Sequence, residues 1–134
     1  MRTTNEITGE IVDVAYRLHS RLGPGLLESV YETVLAGLLQ DRGLHVERQK
    51  AVSFEFEGHV FDDGLRVDLF VEHAVVVELK SVEKLAPVHM KQVLTYLRLL
   101  NLPVGLLINF GADRLKDGLQ RVTNFAVRRM EERS

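Results

Sequence analysis

A chain of 134 residues has room for one core and one domain. Hydrophobic residues make up 46% and charged residues 27%, an ordinary globular balance, and no run approaches the ~18 apolar residues that would start to suggest a membrane span. With no cysteine, disulfides and thiolate metal ligands are excluded, and a formal net charge of −2 speaks against tight, sequence-independent binding of DNA by a single copy. Met1 to Glu6 lack the apolar stretch of a signal peptide, so a cytoplasmic protein with no membrane association is expected.

Thr3-x-x-Glu6 reads as a capping box. Ile7, Ile11, Val14, Ala15, Leu18 and Leu22 follow at helical spacing, which predicts a helix from about Thr4 to Leu22. Gly23-Pro24-Gly25 ends it. A second helix is expected from about Leu26 to Arg42, with an apolar stripe of Leu27, Val30, Tyr31, Val34, Leu35 and Leu38 and with Gly43 at its C-terminal stop. The two should form a helical hairpin, about residues 4–42, covering one face of a sheet. Glu28 sits on the margin of the second stripe, where the positive end of a helix favours an acid.

From Leu44 the period changes to that of strands. Val46 begins one, and Val52, Phe54 and Phe56 alternate with Ser53, Glu55 and Glu57. Glu57-Gly58-His59 should turn, Val60 and Phe61 resume, and Asp62-Asp63-Gly64 should break the strand again. Two further strands then flank Glu72-His73-Ala74: Gly64 to Val71, and Val75 to Lys80. Three charged residues interrupt this apolar hairpin: Asp68, Glu78 and Lys80. Glu78 and Lys80 share a face by strand alternation. A three-residue loop puts Asp68 opposite Glu78, whereas a two-residue loop would put them on opposite faces unless a bulge intervened. Two carboxylates and an ammonium on one apolar patch need compensation, and a divalent cation is the simplest source of it.

Pro87 suits a first helical turn, and a helix from about Ala86 to Leu100 carries Met90, Val93, Leu94, Leu97 and Leu100 inward. Gln92 and Tyr96, four residues apart, share a face of it. His89 falls one residue away from that face and reads as surface. Val104 to Phe110 is a continuous apolar run between Pro103 and Gly111. It reads as a buried strand, parallel to the Glu78 strand through the helical crossover. Leu115 to Val122 fits an edge strand better than a short helix. Ala126 to Ser134 reads as a tail in which Arg128, Arg129 and Arg133 are candidate phosphate contacts. The five histidines show no H-x-x-H or H-E-x-x-H spacing, and no P-loop, dinucleotide glycine pattern or G-x-S-x-G elbow is present.

The arrangement Asp68-x9-Glu78-x-Lys80 resembles the PD-(D/E)xK nuclease superfamily, with Val67 where the motif's Pro would stand. Gly25-Leu26-Leu27-Glu28-Ser29-Val30-Tyr31 is similar to the defining pattern of the GxxExxY protein family. Val77-Glu78-Leu79-Lys80-Ser81 and Gly105-Leu106-Leu107-Ile108-Asn109-Phe110-Gly111 also look like that family. The resemblance covers nearly the whole chain and weakens after about Asn124. It implies an α/β restriction-endonuclease-like fold, a mixed central sheet flanked by helices, with the sheet and its helix over about residues 44–124 and a tail over 125–134.

The resemblance further implies that Asp68 and Glu78 bind Mg²⁺ or Mn²⁺, with the Leu79 carbonyl as another ligand and Glu28 as the acid reaching in from the helix layer. Lys80 would take the proton of the attacking water or orient that water. Gln92 and Tyr96 match the Gln-x-x-x-Tyr motif of the RecB-like branch, which lies over the active site. His19 either faces the site or caps and packs. The expected activity is metal-dependent hydrolysis of nucleic acid, DNA rather than RNA, by a homodimer in analogy with small junction resolvases. The alternative is an inactive nucleic-acid-binding or assembly module that keeps the fold, but a retired site has no physical reason to retain buried charges.

Overall fold

Residues 2–127 are described by a computed structural model. Helix α1 (Thr4–Leu22) has the expected bounds, and the Thr3 hydroxyl accepts the Glu6 N–H at 3.1 Å at its start. Helix α2 (Glu28–Asp41) starts later than the periodicity suggests. Between them, Gly23 and Gly25 take left-handed φ angles of 69° and 105°. Tyr31 reaches back to this turn: its hydroxyl donates to the Gly23 carbonyl and accepts the Leu26 N–H at 3.2 Å. The ring stacks on Phe110 with centroids 4.5 Å apart. The tyrosine of the G-x-x-E-x-x-Y stretch thus bonds the residues on either side of the turn that holds its glycine, Gly25.

Strands β1 (Val46–Phe56), β2 (His59–Val71), β3 (Val75–Lys80), β4 (Val104–Asn109) and β5 (Leu119–Thr123) lie in the sheet in that order. All neighbours are antiparallel except β3 and β4, which run parallel across the helix α3 (Pro87–Leu100). A short helical turn, α4 (Leu115–Gly118), precedes β5, so the segment read as an edge strand holds both. One core packs α1 and α2 on Leu69, Val71, Val77, Leu79, Leu106 and Ile108, and a smaller one packs Val93 and Leu97 of α3 on Val67, Val76 and Leu107. Alternation along β3 and β4 divides the two faces.

Three expectations need correction. The inward face of α2 is Tyr31, Glu32, Leu35, Ala36 and Leu39, whereas Leu27 is 74% exposed and Val30 and Leu38 are both 38% exposed. Tyr31, anchored to the turn, sets the rotation of the helix, and the face lies about one residue on from the apolar count. Asp62-Asp63-Gly64 does not break the strand: β2 runs through it, exposed, with a register shift opposite Val52 and Phe54. A Cβ at Gly64 would meet the Phe54 ring at 2.3 Å and Phe61 Cβ at 2.9 Å, so a side chain there would displace the stacked Phe54–Phe61 pair. The turn before it is the two residues Glu57 and Gly58, both at positive φ. Met90 of α3, expected inward, is 39% exposed, since α3 packs chiefly through Val93 and Leu97. The candidate contacts Arg128, Arg129 and Arg133 lie outside the described residues.

Candidate active site

The loop between β2 and β3 is the three residues Glu72 to Ala74, with Val71 paired to Val75, Phe70 to Val76 and Leu69 to Val77. Continued by one residue, this register sets Asp68 opposite Glu78. The regular ladder stops there, and the side chains take over its hydrogen bonds. Glu78 Oε1 accepts the Asp68 N–H at 3.3 Å, and Asp68 Oδ2 accepts the Leu79 N–H at 2.8 Å. Val67 packs into the α3-side core and Leu69 into the other, so β2 turns over between them. The strands splay at this point, and two carboxylates fill the gap.

Glu78 is 4% exposed. Burial, and after it the Asp68 carboxylate alongside, push the Glu78 carboxyl up to about 9, with Lys80 pulling the other way. A group so placed holds a proton at neutral pH unless a cation replaces it. The Leu79 N–H and C=O leave the strand on the same side, so the Leu79 carbonyl is directed toward the Asp68 edge, where the ladder has ended. Two carboxylates and a carbonyl form an oxygen donor set, which suits Mg²⁺ or Mn²⁺. Lys80 is half-buried on the Glu78 face.

Helix α3 closes the α3 side. Gln92 Nε2 donates to the Tyr96 hydroxyl at 3.1 Å. Burial raises the Tyr96 phenol, Gln92 partly offsets this, and the charges of Glu78 and Asp68 add to the rise, so the hydroxyl stands within their field. It is a neutral donor at physiological pH.

The helix-layer acid tied to Asp68 is Glu32. Gln49 Nε2 donates both to Glu32 Oε1 and, at 3.1 Å, to Asp68 Oδ1. Arg48 bonds Glu32 Oε2 at 3.0 Å and neutralises it. Gln49 takes a φ of 47° between the pairs Arg48–Leu69 and Lys50–Val67, a left-handed conformation that aims its side chain into this relay. Glu28 is exposed in the first turn of α2, and shares a shallow concavity with Ser81, the residue after Lys80. The Ser81 hydroxyl anchors that rim by bonding the Leu26 carbonyl at 2.6 Å. Glu32 lies off the apolar stripe that the spacing predicts, so no sequence signal marks it. Nothing local marks Gln49.

His19 is buried, with Nε2 2.8 Å from the Ala112 carbonyl and its ring stacked on Phe110. It packs rather than facing the carboxylates. His89 caps α3, its Nδ1 accepting the Ala86 N–H at 3.0 Å.

Among the described residues, no helix is long and apolar enough to cross a membrane. No curated protein and no solved structure matches the chain significantly. A family model, the PD-(D/E)XK nuclease superfamily, matches residues 5–122, and the five-stranded mixed sheet between helices has the restriction-endonuclease-like architecture of that group. The chain belongs to the PD-(D/E)XK nuclease superfamily.

Proposed function

We propose that this protein is a divalent-metal-dependent nuclease that hydrolyses phosphodiester bonds of DNA, and that it is a GxxExxY-type member of its superfamily. The observation that carries the reading is the interlock of Asp68 and Glu78. Two carboxylates, one of them almost fully buried, replace the backbone ladder in the middle of a sheet. Ionised together, such a pair costs stability unless a cation compensates it.

Asp68, Glu78 and the Leu79 carbonyl would hold the ion. When bound, Mg²⁺ or Mn²⁺ neutralises the scissile phosphate, lowers the pKa of a water and steadies the leaving oxygen. Lys80, on the same face as Glu78, orients the attacking water and offsets charge developing on the phosphate. Tyr96, steadied by Gln92, donates its hydroxyl to a phosphate oxygen or a site carboxylate. Glu32 and Gln49 hold Asp68 in place, and Glu28, on the rim it shares with Ser81, is the helix-layer acid that would reach the ion directly or through water. A single domain of 134 residues offers a limited binding surface, which supports a homodimer. Exposed Phe56, Val60 and Phe61 on the outer β1–β2 ribbon offer apolar surface for it.

The test is a cleavage assay on single-stranded, duplex and branched DNA, with matched RNA, in Mg²⁺ or Mn²⁺. Wild type is compared with Glu78→Ala and Lys80→Ala. Each variant should lose roughly 10²- to 10⁴-fold in rate on DNA. Equal activity in all three proteins would overturn the reading, and cleavage confined to RNA would overturn its substrate.

A further inference from the structure

A second set of ligating side chains stands at the loop end of the β2–β3 hairpin, away from the splayed carboxylates. His45 immediately precedes β1, Glu47 is the second residue of that strand, and His73 is the middle residue of the three-residue loop. Glu47 Oε1 lies 3.3 Å from His45 Nε2 and 3.2 Å from His73 Nδ1, and ligand atoms of all three residues fall within 4.8 Å of one another. Ligands placed tetrahedrally on an ion with bonds of ~2.0–2.1 Å are themselves about 3.3 Å apart. Both histidine-to-carboxylate distances already have that length.

The arrangement is built rather than incidental. Both backbone groups of His45 are held by Glu72: His45 N–H donates to Glu72 Oε2 at 2.9 Å, and the His45 carbonyl accepts the Glu72 N–H at 2.8 Å. Glu72 and His73 both take left-handed φ angles, 54° and 52°, which turn the His73 ring back over β1. The two imidazoles stack with centroids 4.6 Å apart and Phe70 meets His73 edge-on, so the pair is held together, and one exposed ring has to turn about its side-chain bonds for both nitrogens to close on one ion. Lys50 occupies the other carboxylate oxygen, Glu47 Oε2, at 2.8 Å and leaves Oε1 to the two rings. Both histidines are exposed, so an ion has free access and a fourth position remains for water.

We propose that His45, Glu47 and His73 form a binding site for a zinc-class divalent transition ion, separate from the oxygen-donor set at Asp68 and Glu78. Two imidazoles and one carboxylate select Zn²⁺, Co²⁺, Ni²⁺ or Cu²⁺ over Mg²⁺. The ion clasps the start of β1 to the β2–β3 loop and stiffens the hairpin that carries Asp68.

The experiment is calorimetric titration of the untagged chain with Zn²⁺ in excess Mg²⁺, repeated with Co²⁺ under visible absorption. Wild type and Glu78→Gln should each take one Zn²⁺ per chain, and Co²⁺ should give the d–d bands of a nitrogen- and oxygen-ligated ion. His45→Ala combined with His73→Ala removes two exposed rings outside the core and should weaken Zn²⁺ binding by about 100-fold or more. The rise in Tm with Zn²⁺ should disappear in the same variant. No Zn²⁺ uptake by wild type, uptake unchanged in the double variant, or uptake lost in Glu78→Gln instead would overturn the proposal.

Discussion

Asp68 and Glu78 each complete the backbone of the other's strand: the Glu78 carboxylate accepts the Asp68 N–H, and the Asp68 carboxylate accepts the N–H of Leu79, the residue after Glu78. Burial, and after it the Asp68 carboxylate, push the Glu78 carboxyl up to about 9, against the Asp68 N–H bond, which favours its ionised form. Between its ordinary value of 4.5 and about 9, the folded protein keeps a proton that the unfolded chain releases. The unfolded state binds fewer protons there, so stability is complete at the acid end and falls as pH rises through the window. In chelator, Tm should drop from about pH 5 to about pH 8, and Glu78→Gln should flatten that slope. Mg²⁺ should raise Tm more at the higher pH, where the carboxylate must otherwise ionise beside Asp68. Scanning calorimetry of both proteins, with and without Mg²⁺, measures all of this.

Gln49 separates backbone strain from site geometry. Its left-handed φ costs a non-glycine residue about 1–2 kcal/mol, and glycine escapes that cost. Its amide is also the link from Glu32 to Asp68. Gln49→Gly should therefore be more stable than Gln49→Ala by about 1 kcal/mol. Both should lose the same fraction of cleavage rate, because both lose the amide. Denaturant melts beside single-turnover rates would show the split. Rates that differ while stabilities agree would refute it.

Much of this arrangement was legible in advance, for identifiable reasons. The α1 helix follows from an uninterrupted helical period ended by Gly23, whereas the spacing left two loop lengths open between Asp68 and Glu78, and the pairing of Val71 with Val75 decides between them. The rotation of α2 was not legible, because Tyr31 sets it by bonding a turn and stacking on Phe110, a residue remote in the sequence. The same gap hid Glu32, whose partners Arg48 and Gln49 arrive only when β1 joins the sheet. It also hid the His45–Glu47–His73 group, since no short spacing connects residues that meet only through the pairing of Val46 with Val71. Asp62-Asp63-Gly64 carries turn chemistry locally, yet the strand continues through it, with Gly64 lying against the Phe54 ring.

Tyr96 tests whether α3 takes part in chemistry or only covers the sheet. Its hydroxyl accepts from Gln92, which leaves the O–H proton directed to another acceptor. Tyr96→Phe keeps the ring in place and removes that donor. Tm should move by less than about 1 kcal/mol equivalent, while the rate should fall about tenfold or more, as for a lost hydrogen bond to a charged group. Gln92→Ala should give a smaller loss of the same kind. A Tm drop with no change in rate would make Tyr96 a packing residue.

The position of Lys80 depends on the chain segment that follows it, and Asn109 and Gly111 hold that segment. Asn109 Oδ1 accepts the Val82 and Gly111 N–H groups, each at 3.0 Å, and Nδ2 donates to the Val82 carbonyl at 2.9 Å. A buried amide thus satisfies the backbone just beyond β3, where no strand is left to do so. Gly111 lies so close that a Cβ would meet the Val82 carbonyl oxygen at 2.3 Å and the Val82 nitrogen at 2.6 Å. These are backbone atoms and cannot rotate aside. Gly111→Ala should therefore cost about 3 kcal/mol and displace the Ser81–Val82 segment. Asn109→Ala should cost about 2 kcal/mol by leaving both Val82 groups unpaired. Because Lys80 adjoins the displaced segment at the end of β3, while Asp68 and Glu78 lie further from it, both variants should lose cleavage rate more than Mg²⁺ affinity. Calorimetric Mg²⁺ titration alongside the rate measurement checks that ordering, and an equal loss of both would place the damage at the carboxylates instead.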